Sequence, residues 1–122
     1  MTDEQIALAR RAVACKGWRW MRGMSNDQGQ TIDCVDLIPG KAYCGEWDAD
    51  MTALPDLEDP ATLGCLLALV REACGDDEAY AMPWHDEDGG WTVTVNDEDR
   101  CHNISEGDTE VEALVVALED AP

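Results

Sequence analysis

Apolar residues recur along the chain in two different periods, and the period changes wherever turn-forming residues cluster. Leu63, Leu66, Leu67, Val70 and Cys74 fall at helical spacing, and Ala68 and Leu69 make the remaining sides apolar as well. A helix apolar around its girth is expected to be buried. Asp59-Pro60 opens it with a side-chain cap and a proline at the first helical position, where the missing N–H costs nothing, and Gly75 closes it. Thr109-Glu110-Val111-Glu112 has capping-box spacing and predicts a last helix with Val111, Leu114, Val115 and Leu118 on one face and Glu112, Glu119 and Asp120 off it. Thr2-Asp3-Glu4-Gln5 has the same spacing and predicts a first helix from about Asp3 to Lys16, stopping at Gly17. Its stripe of Ile6, Ala9 and Val13 is thin, as for a helix lying on a sheet.

Between the helices the period falls to two. Trp91-Thr92-Val93-Thr94-Val95 alternates as a half-buried strand does. Glu78–Trp84, Trp91–Asn96 and Arg100–Ile104 are predicted as three short strands, joined by the acidic turns 85–90 and 97–99. Earlier in the chain, Thr31–Ile38 is a strand candidate ended by Pro39-Gly40, and Lys41–Trp47 returns beside it as a hairpin partner. Residues 18–24 alternate poorly but are assigned a strand, bounded by a turn at Ser25–Gly29, and residues 48–59 are a loop. The sum is a single α+β domain over 1–122: short antiparallel strands in one sheet with about three helices, two of them packed on the sheet. A chain of 122 residues supports one core and hardly two.

Composition narrows the class. The apolar fraction of 45% is ordinary for a folded chain, and no apolar run approaches the roughly 18 residues that cross a bilayer. Met1 to Ala9 is acidic and polar, the reverse of a signal peptide, so a cytoplasmic location and no membrane partner are expected. Cys15, Cys34, Cys44, Cys65, Cys74 and Cys101 contain no Cys-x-x-Cys, and their spacings match no common zinc pattern. Reduced thiols, several of them small core residues, are the expectation.

Charge changes the picture most. Asp and Glu number 27 against 8 Lys and Arg, for a formal net charge of −19. Residues 1–24 hold five cations against Asp3 and Glu4, whereas 25–122 hold Lys41, Arg71 and Arg100 against all the other carboxylates. The basic stretch Arg10 to Arg22, interleaved with Trp18 and Trp20, superficially resembles a nucleic-acid contact. The simpler expectation is that its cations pair with the molecule's own carboxylates while the indoles fill a core that has no phenylalanine. So negative a chain is not expected to bind nucleic acid directly.

No catalytic constellation is legible. The histidines are His85 and His102 and the serines Ser25 and Ser105; Cys101 and His102 are neighbours on a predicted strand and so belong to opposite faces. Asp86-Glu87-Asp88-Gly89 and Asp48-Ala49-Asp50 are fragments of a calcium loop without its remaining spacing. No glycine-rich phosphate loop is present. The expectation is a non-enzyme without metal or cofactor, acting by binding.

The candidate binding residues are Asp48, Asp50, Asp56 and Glu58 of the 48–59 loop, Asp86, Glu87 and Asp88, and Asp97, Glu98 and Asp99. Carboxylates spaced on a folded body can occupy a groove built for phosphates, because the partner's Lys and Arg respond to charge spacing. The competing reading is a merely solvating or salt-adapted surface: lysine occurs only at Lys16 and Lys41, and aspartate outnumbers glutamate.

The stretches LPDLEDPATLGCLLALVREA, at 54–73, and GDTEVEALVVALE, at 107–119, resemble small uncharacterised proteins of tailed bacteriophages and prophages. The resemblance covers residues 54 to 121 and rests on helix caps and packing positions, so it carries over no active residue. It implies an anti-restriction or anti-CRISPR type of inhibitor whose partner is a basic host protein or ribonucleoprotein complex. A phage accessory or structural protein with a solubilising acidic surface is the alternative.

Overall fold

Thr2 starts the first helix, α1 (Asp3–Ala14), as its spacing predicts: its hydroxyl accepts from the Gln5 N–H at 3.2 Å, and the Gln5 side chain accepts from the Thr2 N–H at 2.9 Å. The computed structural model describes residues 2–32, 34–35, 42–44, 47–48, 53–83, 89–97 and 100–121, giving the backbone alone at 34–35, 42–44, 47–48, 96–97 and 100–101. α1 stops two residues short of Lys16, because Cys15 is extended. Its buried residues are Ala9 and Ala12, while Ile6 and Val13 are only half-buried. Small side chains on the inner face let α1 lie against another helix, the last one, rather than on a sheet.

The second helix, α2 (Pro60–Cys74), is capped as expected: Asp59 Oδ2 accepts from both the N–H and the hydroxyl of Thr62 at 3.0 Å. Gly75 ends it in the left-handed conformation at φ 69°, which only glycine adopts freely. Burial is one-sided, through Thr62, Leu66, Leu69 and Val70; Leu63 and Leu67 are half-buried and Gly64 is exposed. Apolar sequence all round therefore overstates how enclosed this helix is. A Cβ built at Gly64 meets nothing within 4 Å. Gly64→Ala should thus stabilise the protein by about 0.5–1 kcal/mol, through reduced unfolded-state freedom, in urea denaturation.

Strands β1 (Cys34–Val35), β2 (Ala42–Cys44) and β3 (Trp47–Asp48) form an antiparallel sheet in that order, with Cys34 opposite Tyr43 and Cys44 opposite Trp47. The predicted hairpin is present in it. Strands β4 (Tyr80–Pro83), β5 (Trp91–Asp97) and β6 (Arg100–Gly107) form a second antiparallel sheet, so the strands of the described residues divide between two sheets where one was expected. Ser105 pairs with Val93 and Asn103 with Thr94, which leaves Ile104 as the extra residue of a bulge in β6.

Residues 18–24 are a correction: they form no strand. Trp18 and Trp20 stack edge to face at 5.7 Å, and Met24 N–H turns back to the Met21 carbonyl at 3.1 Å. Their neighbour is Ile32, which accepts from Gly23 N–H and donates to the Met24 carbonyl, both at 2.8 Å. The poor alternation of this stretch reflects a tight turn over a buried methionine.

The third helix, α3 (Glu110–Asp120), is the hub. Thr109 caps it by accepting from Glu112 N–H. One side lies on the β4–β5–β6 sheet, where the Ser105 hydroxyl donates to the Ala113 carbonyl at 2.7 Å; α1 and α2 pack on α3 from other sides. This is why Ala113 and Ala117 are buried along with the expected Val111, Leu114, Val115 and Leu118. The described residues form an α+β arrangement of three helices and antiparallel strands. No helix of the described residues is long and apolar enough to cross a membrane.

Candidate functional site

Asp56 and Glu58 stand on a loop that the rest of the fold holds firmly. Asp27 N–H donates to the Leu54 carbonyl and Asp56 N–H to the Ser25 carbonyl, each at 2.8 Å, so the 25–31 turn and the 54–56 segment run together. Asn26, which is buried, organises the turn: its Oδ1 accepts from the N–H groups of Gln28 and Gln30, and its amide donates to Gln30 Oε1 at 2.8 Å. The buried Thr62 hydroxyl accepts from Ser25 N–H at 2.8 Å and donates to Asp59, which ties this cluster to the start of α2. Asp56 is partly committed to local structure, accepting from Glu58 N–H at 3.2 Å, whereas Glu58 is exposed.

Of the other candidates, Asp50, Asp86, Glu87, Asp88, Glu98 and Asp99 lie outside the described residues. Asp48 and Asp97 are placed by backbone alone, as the last residues of β3 and β5. Sequence reasoning passed over the run Asp76-Asp77-Glu78 immediately after the α2 cap. Asp76 accepts from Glu78 N–H at 2.9 Å, and Asp77 and Glu78 are exposed. It also passed over exposed Glu106 and Asp108, which flank the β6–α3 junction, and Asp120 at the end of α3. Their signal was available as acidic residues next to helix boundaries.

Ion pairing leaves most of this charge unneutralised. Among the described residues two ion pairs form, Arg11 with Glu119 at 2.6 Å and Arg19 with Glu72. The hydrogen bonds that Arg11 donates to Glu119 raise the Arg11 pKa above its ordinary value, and the one that Arg19 donates to Glu72 holds the Glu72 carboxyl below its ordinary value. The basic stretch thus partly meets its expectation: Arg11 and Arg19 pair with the molecule's own carboxylates, and Trp20 is buried with Trp18 packed against the core. Arg10, Lys16 and Arg22 are exposed and make no ion pair among the described residues.

Cys15, Cys65 and Cys74 are free thiols whose pKa burial pushes up, the opposite of an activated nucleophile. His102 is exposed on β6. Among the described residues no three His, Cys, Asp or Glu side chains gather where they could hold a metal ion.

Two concavities lined by described residues bear on binding. A shallow one of about 290 Å³ is lined by Arg11, Ala14, Cys15, Lys16 and Glu119 around the first ion pair. The other, of about 220 Å³, lies at the ends of α2 and α3 over β5 and β6, lined by Cys74, Val95, Ile104, Ala117, Asp120 and Ala121. No protein family, curated protein or solved structure matches this chain.

Proposed function

We propose that the protein is a non-enzymatic acidic binding protein that docks on the cationic, nucleic-acid-binding surface of a host defence complex and blocks it, as a DNA mimic of the anti-CRISPR kind. The observation that carries this reading is the excess of uncompensated carboxylate. Residues 25–122 hold three cations against 25 carboxylates, so ion pairing within the chain, as of Glu72 with Arg19 and Glu119 with Arg11, leaves most of that charge uncompensated. Self-repulsion of that size opposes compaction, and a cationic groove relieves it while releasing the counterions of both surfaces. The choice of a host defence complex as that partner rests on analogy with phage inhibitors, from charge and from the helix-cap and packing positions of residues 54–121.

The test is competition with duplex DNA for a purified CRISPR surveillance complex, at about 50 and about 300 mM salt. The expected result is displacement of DNA, with affinity falling at least about tenfold between the two. No displacement, or an affinity indifferent to salt, would overturn the reading.

The alternative, an accessory protein with a solubilising surface, draws on a specific observation: Asp56, Asp59 and Asp76 each cap a turn or helix, so part of the acidity serves local folding. It predicts that Glu58→Lys leaves partner binding unchanged, whereas mimicry predicts a loss.

A further inference from the structure

α3 ends in an arrangement that works against its own dipole. The last turn of a helix carries negative partial charge on carbonyls without intrahelical donors, and it is stabilised by cations. Here that turn holds Glu119 and Asp120, and no basic residue of α3 stands in it. Glu119 is compensated from outside by Arg11 of α1. Asp120 is exposed and has neither an ion pair nor a hydrogen bond among the described residues. It stands on the rim of the cavity of about 220 Å³, whose other lining is Cys74, Val95, Ile104, Ala117 and Ala121. An apolar floor therefore lies beneath an anionic rim that lacks a counter-charge.

We propose that this cavity is the socket for one lysine or arginine side chain of a protein partner. Size, shape of polarity and charge all favour that occupant. The volume exceeds that of a cavity known to hold a benzene molecule, about 150 Å³. It falls below the roughly 300–1,000 Å³ of ordinary small-molecule sites. A single long side chain fits that interval. Lysine and arginine carry an apolar stem and a charged head that parts company with it at a surface. The stem would lie on Val95, Ile104 and Ala117, and the head would reach Asp120 and the terminal carbonyls of α3. A neutral apolar side chain would leave Asp120 unpaired, and an acidic one would be repelled by it.

This deepens the function proposed above and rests on it for the nature of the partner, but its test needs no partner. The probe is n-butylammonium, the lysine side chain as a free molecule, titrated against 1-butanol at constant ionic strength while amide resonances are followed. Expected are shifts confined to Cys74, Val95, Ile104 and 117–121, with the cation binding about two- to fivefold more tightly than the alcohol, the span of an exposed ion pair. Asp120→Asn should erase that preference, and Glu4→Gln, at the far end of α1, should keep it. Equal binding of the two solutes, a preference that survives Asp120→Asn, or shifts spread over the acidic surface would overturn the proposal. Because the DNA-competition experiment reads the whole surface and this one reads a single cavity, failure of either is distinguishable from failure of the other.

Discussion

Gly107→Ala will cost the fold about 3 kcal/mol, at the upper end of what overpacking usually does. A Cβ on Gly107 would sit 2.6 Å from the Ala113 nitrogen and 2.9 Å from both the carbonyl carbon and the Cβ of Glu112. These atoms belong to the first turn of α3, so no single flexible side chain can give way. The φ of Gly107 is not positive, and the constraint is one of space alone. Relief requires lifting α3 off β6, and that move would stretch the 2.7 Å bond from the Ser105 hydroxyl to the Ala113 carbonyl and loosen the core to which Val93, Leu114 and Val115 all belong. In thermal denaturation the midpoint should fall by about 10 °C. Gly64→Ala, with open space around it, should move the midpoint slightly upward, which separates crowding from any general effect of replacing glycine. A Gly107→Ala protein within about 0.5 kcal/mol of the parent, the scatter of ordinary surface substitutions, would mean that α3 can shift freely on the sheet.

The importance of Gly107 could not be read from the sequence, where it is one glycine among ten between a strand and a capped helix. What was legible is what is local. Thr2, Asp59 and Thr109 each cap a helix within three residues of their own position, and the alternation from Trp91 to Val95 needs only its own neighbours. Closeness between β6 and α3 is set by how the sheet, α1 and α2 crowd one helix, and no window of sequence contains all of them. The same distinction explains residues 18–24: two tryptophans spaced two apart mimic a strand, and only contact with Ile32 reveals a turn. For the binding surface, the sequence gives the total charge but not which carboxylates are committed. Asp56 and Asp76 look like Glu58 and Asp77 in a sequence, yet the first two accept backbone hydrogen bonds and the second two stand in solvent. Asp120 becomes conspicuous only once Arg11 is seen to serve Glu119 and not its neighbour.

Asn26→Ala should remove about 2 kcal/mol of stability, and most of that loss should come from one loop. The substitution strips the acceptor from the N–H groups of Gln28 and Gln30 and the donor from Gln30 Oε1. Three hydrogen bonds are lost, each worth about 0.5–1.5 kcal/mol net, and the exposure of Gln28 to water keeps the sum near about 2 kcal/mol. The turn is also the seat of the acidic loop, through Asp27 N–H to Leu54 and Asp56 N–H to Ser25. Amide exchange at Asp27 and Asp56 should therefore accelerate more than at Val93, which lies in the central strand under α3. Asn26→Asp gives the internal control. It keeps both acceptor bonds but loses the donor and places a charge at a site only 2% exposed. If Asn26→Ala left urea stability and the exchange at Asp56 as they are, the turn would not be what fixes Asp56 and Glu58 in place. Those two carboxylates would then reach a partner through a loop free to adapt, and shape would add nothing to charge in recognising it.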